Sequence, residues 1–334
     1  MAAEQKKPTS QLRFDLVSKD WVLIATGRAK RPEEFAKHER IKVEMAAKDC
    51  PFCNLATQGK PVLEYKDEAG QWEVAVIPNK YPAFAQSGGL NERAEGPYSI
   101  MDGVGYHEVV VTRDHKKSLA ELEMPQIHKV IDAYQERYLE LMNEKLVNYI
   151  SIFHNHGREA GASIAHPHSQ IIAMPLTDPD LQGSINGSRI FFENQGKCVH
   201  CKMIEWDMED GRRIIYENDK FVVLAPFASR MAFEIRIYPK EHHAYFERIK
   251  EGDKNQLAEA LKISLSKMAK GLNDPAYNFF LHTAPADGKN YDHYHWHFEI
   301  LPKTAIWAGF EMGTGIEIST VEPEEAAKYL REIQ

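Results

Sequence analysis

Apolar and polar positions along this chain fall into short blocks separated by turn residues, and the blocks recur in one order. An early strand ends in Pro78-Asn79-Lys80-Tyr81-Pro82, and Tyr106-His107-Glu108-Val109-Val110-Val111-Thr112, rich in β-branched residues, predicts another. From Leu119 to about Asn148 the apolar spacing becomes that of a long amphipathic helix, and Tyr149 to Phe153 reads as a strand again. A turn rich in Gly and small residues follows, and then a strand beginning at His168. Farther on come the strands Phe221 to Pro226 and Ala232 to Tyr238, a helix from about Asp253 to Leu272, the segment Tyr277 to His282, and His295-Trp296-His297.

This order is a duplication, and cysteines mark both copies. Cys50-Pro51-Phe52-Cys53 opens the first and Cys198-Val199-His200-Cys201 the second. In each copy a histidine follows before the long helix, His115 or His242, and another after it, His166 or His295, 51 and 53 residues farther on. A lone Cys-X-X-Cys is a weak signal, but two with matching histidines point to two tetrahedral Cys2His2 sites, closed by four protein ligands and therefore structural. On spacing alone His243 competes with His242, and His293 or His297 with His295. No cysteine is left over for a disulfide, and the pairs suit metal capture in a reducing compartment.

Composition narrows the partners. The 334 residues, 43% of them hydrophobic, provide cores for two domains, expected at 1–185 and 186–334. A formal net charge of -8 leaves no broad basic surface, which argues against a long nucleic acid as the partner. No apolar run is long enough to span a bilayer or form a signal peptide, so a cytoplasmic protein is expected.

The densest chemistry lies in Phe153-His154-Asn155-His156-Gly157, Gly161-Ala162-Ser163 and His166-Pro167-His168-Ser169-Gln170-Ile171-Ile172-Ala173-Met174-Pro175. Read as an extended segment, this stretch is expected to send the rings of His166 and His168 to opposite sides, one toward a metal and one toward a substrate. The stretch resembles the active-site segment of the galactose-1-phosphate uridylyltransferases, a nucleotidyltransferase branch of the histidine triad superfamily. From about Arg28 onward the chain is similar to the members with two Cys-X-X-Cys motifs, which include ADP-glucose phosphorylase.

That resemblance implies an α+β fold of two histidine-triad-like halves, each an antiparallel sheet with one long helix. It places one zinc on Cys50, Cys53, His115 and His166 and a second on Cys198, Cys201, His242 and His295. It makes His168 a nucleophile whose second ring nitrogen donates to the carbonyl of His166. Gln170 stands where histidine triad hydrolases usually carry a third histidine. An amide can hydrogen-bond a phosphoryl oxygen but cannot carry protons, which favours transfer over hydrolysis. Arg28, Arg31, Asn79, Asn155, Gly161, Ser163, Phe310 and Glu311 match substrate-binding positions, while Phe310 and the Ala305 region depart from the tyrosine and lysine of many relatives. His282 resembles a metal or sugar neighbour. In the second copy Glu299 replaces the glutamine, so one catalytic site per chain is expected.

The expected activity is transfer of a nucleoside monophosphate from a nucleotide sugar to a sugar 1-phosphate through a covalent histidine intermediate, in a homodimer. Uridylyl transfer between UDP-glucose and a hexose 1-phosphate is the leading case, and adenylyl transfer from ADP-glucose to phosphate the second. A non-catalytic nucleotide-binding zinc protein is the reading of another class, opposed by His168 and Gln170.

Overall fold

The structure, a computed structural model, describes residues 10–26, 32–37, 40–41, 44–86 and 88–334. Its centre is a mixed α+β body built on one ten-stranded sheet. The strands, with the small ones, are β1 (Gln11–Phe14), β2 (Trp21–Ile24), β3 (Leu63–Lys66), β4 (Trp72–Pro78), β5 (Arg93–Glu95), β6 (Tyr98–Ile100), β7 (Tyr106–Thr112), β8 (Tyr149–His156) and β9 (His168–Met174) in the first half. The second half adds β10 (Ile214–Glu217), β11 (Phe221–Leu224), β12 (Ile235–Pro239), β13 (Tyr277–His282), β14 (His297–Pro302) and β15 (Ile318–Ser319). The helices are α1 (Pro32–Phe35), α2 (Met124–Leu141), α3 (Pro179–Gln195), α4 (Val199–Asp210), α5 (Glu251–Gly271), α6 (Gly309–Thr314) and α7 (Pro323–Glu332). No described helix is long and apolar enough to cross a membrane.

The duplication is visible in strand order. The large sheet runs β10-β11-β12-β14-β13-β8-β9-β7-β4-β3, so β3-β4-β7-β9-β8 in the first half is answered by β10-β11-β12-β14-β13 in the second. Phe153 of β8 pairs with Phe280 of β13, Phe153 also pairs with Gln170, and Phe280 pairs with Glu299. A pseudo-twofold axis therefore passes through the Phe153–Phe280 pair. The boundary expected after residue 185 falls inside α3, in the connection between the half-sheets.

Alternation along the strands divides the sheet into two unlike faces. Ile150, Ile152, Ile171, Ala173, Phe279, Phe298 and Ile300 join the core under α2 and α5, whose Ile131, Tyr134, Tyr138, Leu257, Leu261 and Leu265 are fully or nearly fully buried. The intervening residues, among them Asn155, His168, Gln170, His297 and Glu299, belong to the opposite face. Apolar residues pack on part of that face: Cys50, Phe52, Leu55, Ala75, Ile77, Val109 and Val111 form a second cluster there.

Some expected boundaries shift for local reasons. The helix expected from Leu119 to Asn148 is shorter, because Gln126 accepts the backbone N–H of Glu123 at 3.1 Å and Pro125 fixes the first turn. The strand expected from Ala232 begins only at Ile235, because Phe233 has φ +67°, outside extended conformation.

Candidate active site and metal centres

Cys50 and Cys53 lie in the turns before β3, His115 in the loop after β7, and His166 in the bend before β9. Their ligand atoms converge to within 4.8 Å of one another. Cys53 Sγ is 3.1 Å from His115 Nδ1 and 3.6 Å from His166 Nδ1, Cys50 Sγ is 3.5 Å from His166 Nδ1, and the two Nδ1 atoms are 3.3 Å apart. Edges of this length are those of a tetrahedron with metal–ligand distances of about 2.0–2.3 Å. The far ring nitrogens are spoken for: His166 Nε2 donates to Thr112 O and His115 Nε2 to Met45 O, both at 2.7 Å, which leaves each Nδ1 lone pair for a cation.

The second group repeats this chemistry. Cys198, Cys201, His242 and His295 converge likewise, with Cys201 Sγ 3.2 Å from His242 Nδ1 and 3.5 Å from His295 Nδ1. His242 Nε2 donates to Asp292 O at 2.8 Å and His295 Nε2 to Pro239 O at 3.0 Å. His243 faces Glu241 at 3.6 Å, and His297 Nδ1 donates to His295 O, so neither joins the four. Burial, and then the neighbouring Cys50, pushes the Cys53 thiol up to about 11, because two adjacent thiolates repel. A divalent cation relieves that repulsion, and both donor sets fit one.

His166 and His168 do part company, but not by facing opposite sides of a strand. Residues two apart on a strand share a face. His166 lies in the bend that precedes β9, and it is this bend, not alternation, that separates the rings. His168 Nδ1 donates to the carbonyl of His166 at 2.9 Å, so its lone pair is on Nε2. Burial lowers its pKa, against the opposing effect of that hydrogen bond, and favours the neutral ring. Phe52, inside the first Cys-X-X-Cys, packs on the imidazole with centroids 5.0 Å apart.

Gln170 points out on the same face, and its Oε1 lies 2.8 Å from His107 Nε2. Asn79 Nδ2 is 3.1 Å from that same nitrogen. Asn155 Oδ1 accepts from Asn278 Nδ2 at 2.8 Å, so the second half orients a residue of the first. A cavity of about 680 Å³ opens beside Asn155, Gly157, Ala162 and Pro167, with Arg40, Lys116 and Arg158 in its wall. Gly161, at φ +89°, and Ser163 are exposed on the loop between them.

Other sequence candidates lie elsewhere. Arg28 and Arg31 fall outside the described residues. Phe310 and Glu311 are on α6, whose flanking residues Trp307 and Gly315 line a separate cavity of about 780 Å³ beside His297 and His282. In that half Glu299 pairs with Arg230, and Arg236 with Glu234, where the first half has Gln170 and His107. His107, Asn278 and Asp274 were missed by the sequence reading. Asp274 binds His156 Nε2 at 2.9 Å and Arg40 Nη2 at 2.7 Å.

Comparison with known proteins agrees with this arrangement. The family model described as the N-terminal domain of galactose-1-phosphate uridyl transferase matches residues 1–177, and a domain of unknown function matches 103–332. ADP-glucose phosphorylase of Arabidopsis thaliana is 33% identical over 99% of this chain and 95% of its own. Galactose-1-phosphate uridylyltransferase of Thermotoga maritima is 31% identical over 97% and 98%. The crystal structure of the Arabidopsis ADP-glucose phosphorylase with bound ADP-glucose superimposes with a TM-score of 0.82 at 32% identity, covering 97% of this chain and 99% of that one. A non-catalytic zinc protein no longer accounts for the chain: it belongs to the galactose-1-phosphate uridylyltransferase family, and is an enzyme of the nucleotidyltransferase kind.

Proposed function

We propose that the protein moves a nucleoside monophosphate from a nucleotide sugar to a second phosphate by double displacement at His168. The Nε2 lone pair attacks the α-phosphorus, the bond from that phosphorus to the bridging oxygen breaks, and sugar 1-phosphate leaves with the electron pair. An oxygen of the second phosphate then attacks the phosphorus and the P–N bond returns its electrons to the imidazole. The observation that carries this reading is the hydrogen bond from His168 Nδ1 to the carbonyl of His166, because it presents the free lone pair on a ring that cannot rotate away. His166 itself is tied to a metal-binding group, which stiffens the backbone that holds the nucleophile.

Both Cys2His2 groups are read as zinc sites, with a structural role for the ion. Gln170, Asn79, Asn155, Gly161 and Ser163 are read as contacts for phosphate, ribose or base, and Arg28 and Arg31 as further phosphate ligands. Phe310 and Glu311 are read as contacts for the sugar, and a homodimer is the proposed assembly.

Uridylyl transfer between UDP-glucose and a hexose 1-phosphate is the first reading of the donor and acceptor. Adenylyl transfer from ADP-glucose to inorganic phosphate is the second, supported by Phe310 and by the likeness to the Arabidopsis phosphorylase. A panel of UDP-glucose and ADP-glucose, each with phosphate and with galactose 1-phosphate, tests both. Turnover of one donor by transfer supports the proposal, and turnover of neither overturns it.

A further inference from the structure

We propose that His107 is a positioning residue that fixes which end of the Gln170 amide faces the reacting phosphate. The inference rests on the reading of His168 as the nucleophile and adds to it a residue with no part in that reading.

A backbone proton sets the tautomer of His107. The N–H of Ala83 donates to His107 Nδ1 at 3.1 Å. An imidazole that accepts at Nδ1 carries its proton on Nε2. That Nε2–H is 2.8 Å from Gln170 Oε1, which must therefore be the acceptor. The amide of Gln170 has only one oxygen, so its NH₂ is turned away from His107. Asn79 Nδ2 lies 3.1 Å from the same His107 nitrogen, and Asn79 Oδ1 accepts from the Tyr81 N–H at 2.9 Å. Two donors do not bond each other, so the Asn79 NH₂ is also left for a ligand.

Orientation matters because the two ends of an amide are opposite in chemistry. An NH₂ facing a phosphoryl oxygen stabilises charge that grows in the transition state, whereas an amide oxygen there repels it. Without an outside restraint the two orientations interconvert by a half turn of the side chain. His107 is 7% exposed, so the restraint operates away from bulk water. The duplication supplies a natural contrast. β7 pairs Val109 with Gln170, and β12 pairs Arg236 with Glu299, so Glu234 takes the place of His107 in the second half. There Arg236 donates to Glu234 at 2.9 Å and also approaches Glu299 at 3.4 Å, so the position of Gln170 is closed by ion pairs. Among the described residues, the His–Gln pair occurs only beside the imidazole proposed to react.

Two measurements on the full-length, metal-loaded protein test the inference. The first reads the tautomer without turnover: ¹⁵N spectra of histidine-labelled protein, with His107 assigned by its loss in His107→Gln. A protonated Nε2 and bare Nδ1 are expected, and protonation at Nδ1 overturns the proposal. The second is a double-mutant cycle in exchange of labelled sugar 1-phosphate with whichever of UDP-glucose and ADP-glucose is turned over. His107→Leu should lower kcat at least tenfold with little change in KM, and His107→Gln, whose amide can donate to the same oxygen, should recover most of it. In a Gln170→Ala background His107→Leu should cost almost nothing more. An equal loss in both backgrounds means that His107 supports the fold and not the glutamine, and overturns the positioning role. Retention of turnover by His168→Gly would instead sink the proposed nucleophile and leave the tautomer result standing, so the two failures are separable.

Discussion

His168 combines burial, a fixed tautomer and a short tether to the residue that enters the metal group. His168→Gly should abolish transfer while keeping both metals and the fold, because neither Cys2His2 set includes its ring. The vacated space should admit free imidazole, which would be nucleotidylated in its place. Retained turnover or a lost metal would show that His166 and His168 have been given each other's roles. Gln170→His addresses the choice between transfer and hydrolysis. An imidazole there can carry protons to a leaving group or from water, so product analysis should show a larger hydrolysed fraction with nucleotide binding preserved. A product ratio equal to that of the parent would remove Gln170 from that choice.

Elements deliver these residues with a tight tolerance, and Gly157 shows where. It follows β8 at φ +83°, and a Cβ built on it would lie 2.8 Å from the Cβ of Ala276, just before β13. Gly157→Ala should lower stability by about 1–3 kcal/mol, seen as a lower thermal midpoint, through strain plus that clash. An unchanged midpoint would mean that the β8–β13 junction is soft. Much of this element frame was legible in the sequence. Cys50, Cys53, His115 and His166 could be matched to their copies because thiol spacing and the order of strands and helix both repeat. The strand Tyr106–Thr112 was read to the residue because its apolar run ends at turns. What was not legible depends on side chains meeting across the fold. His107 reaches Gln170 over 63 positions and Asn278 reaches Asn155 over 123. A histidine inside an apolar strand is an ordinary sight, and nothing local says that the backbone N–H of Ala83, in the loop after β4, will fix its tautomer. The bend at His166 was likewise hidden, because the segment reads as simply extended.

At the scale of the whole molecule the two halves share one sheet and exchange polar contacts across its centre. Asp274, from the turn before β13, holds His156 and Arg40 of the first half. Burial alone would raise its pKa, but the bonds from His156 and Arg40 outweigh this and lower it from 3.8 to about 2. A depressed carboxylate contributes stability that is present above its unfolded pKa and is lost as pH falls through the folded value. The side chain is 36% exposed, so solvent screening reduces the effect to about 1 kcal/mol. Urea unfolding should find Asp274→Asn weaker by about that much at pH 7, with the gap narrowing below pH 4. A gap independent of pH would assign the loss to packing. Metal analysis of protein purified without chelator should return two zinc ions per chain, one for each donor set. A single ion would break the equivalence of the halves.

Isotope exchange tests for the covalent nucleotidyl-His168 itself. With UDP-glucose or ADP-glucose and labelled glucose 1-phosphate, and no second acceptor present, label should enter the nucleotide sugar, because the first displacement is reversible by itself. Full turnover with an acceptor but no exchange in its absence would mean direct displacement in a ternary complex, and would contradict the account at His168.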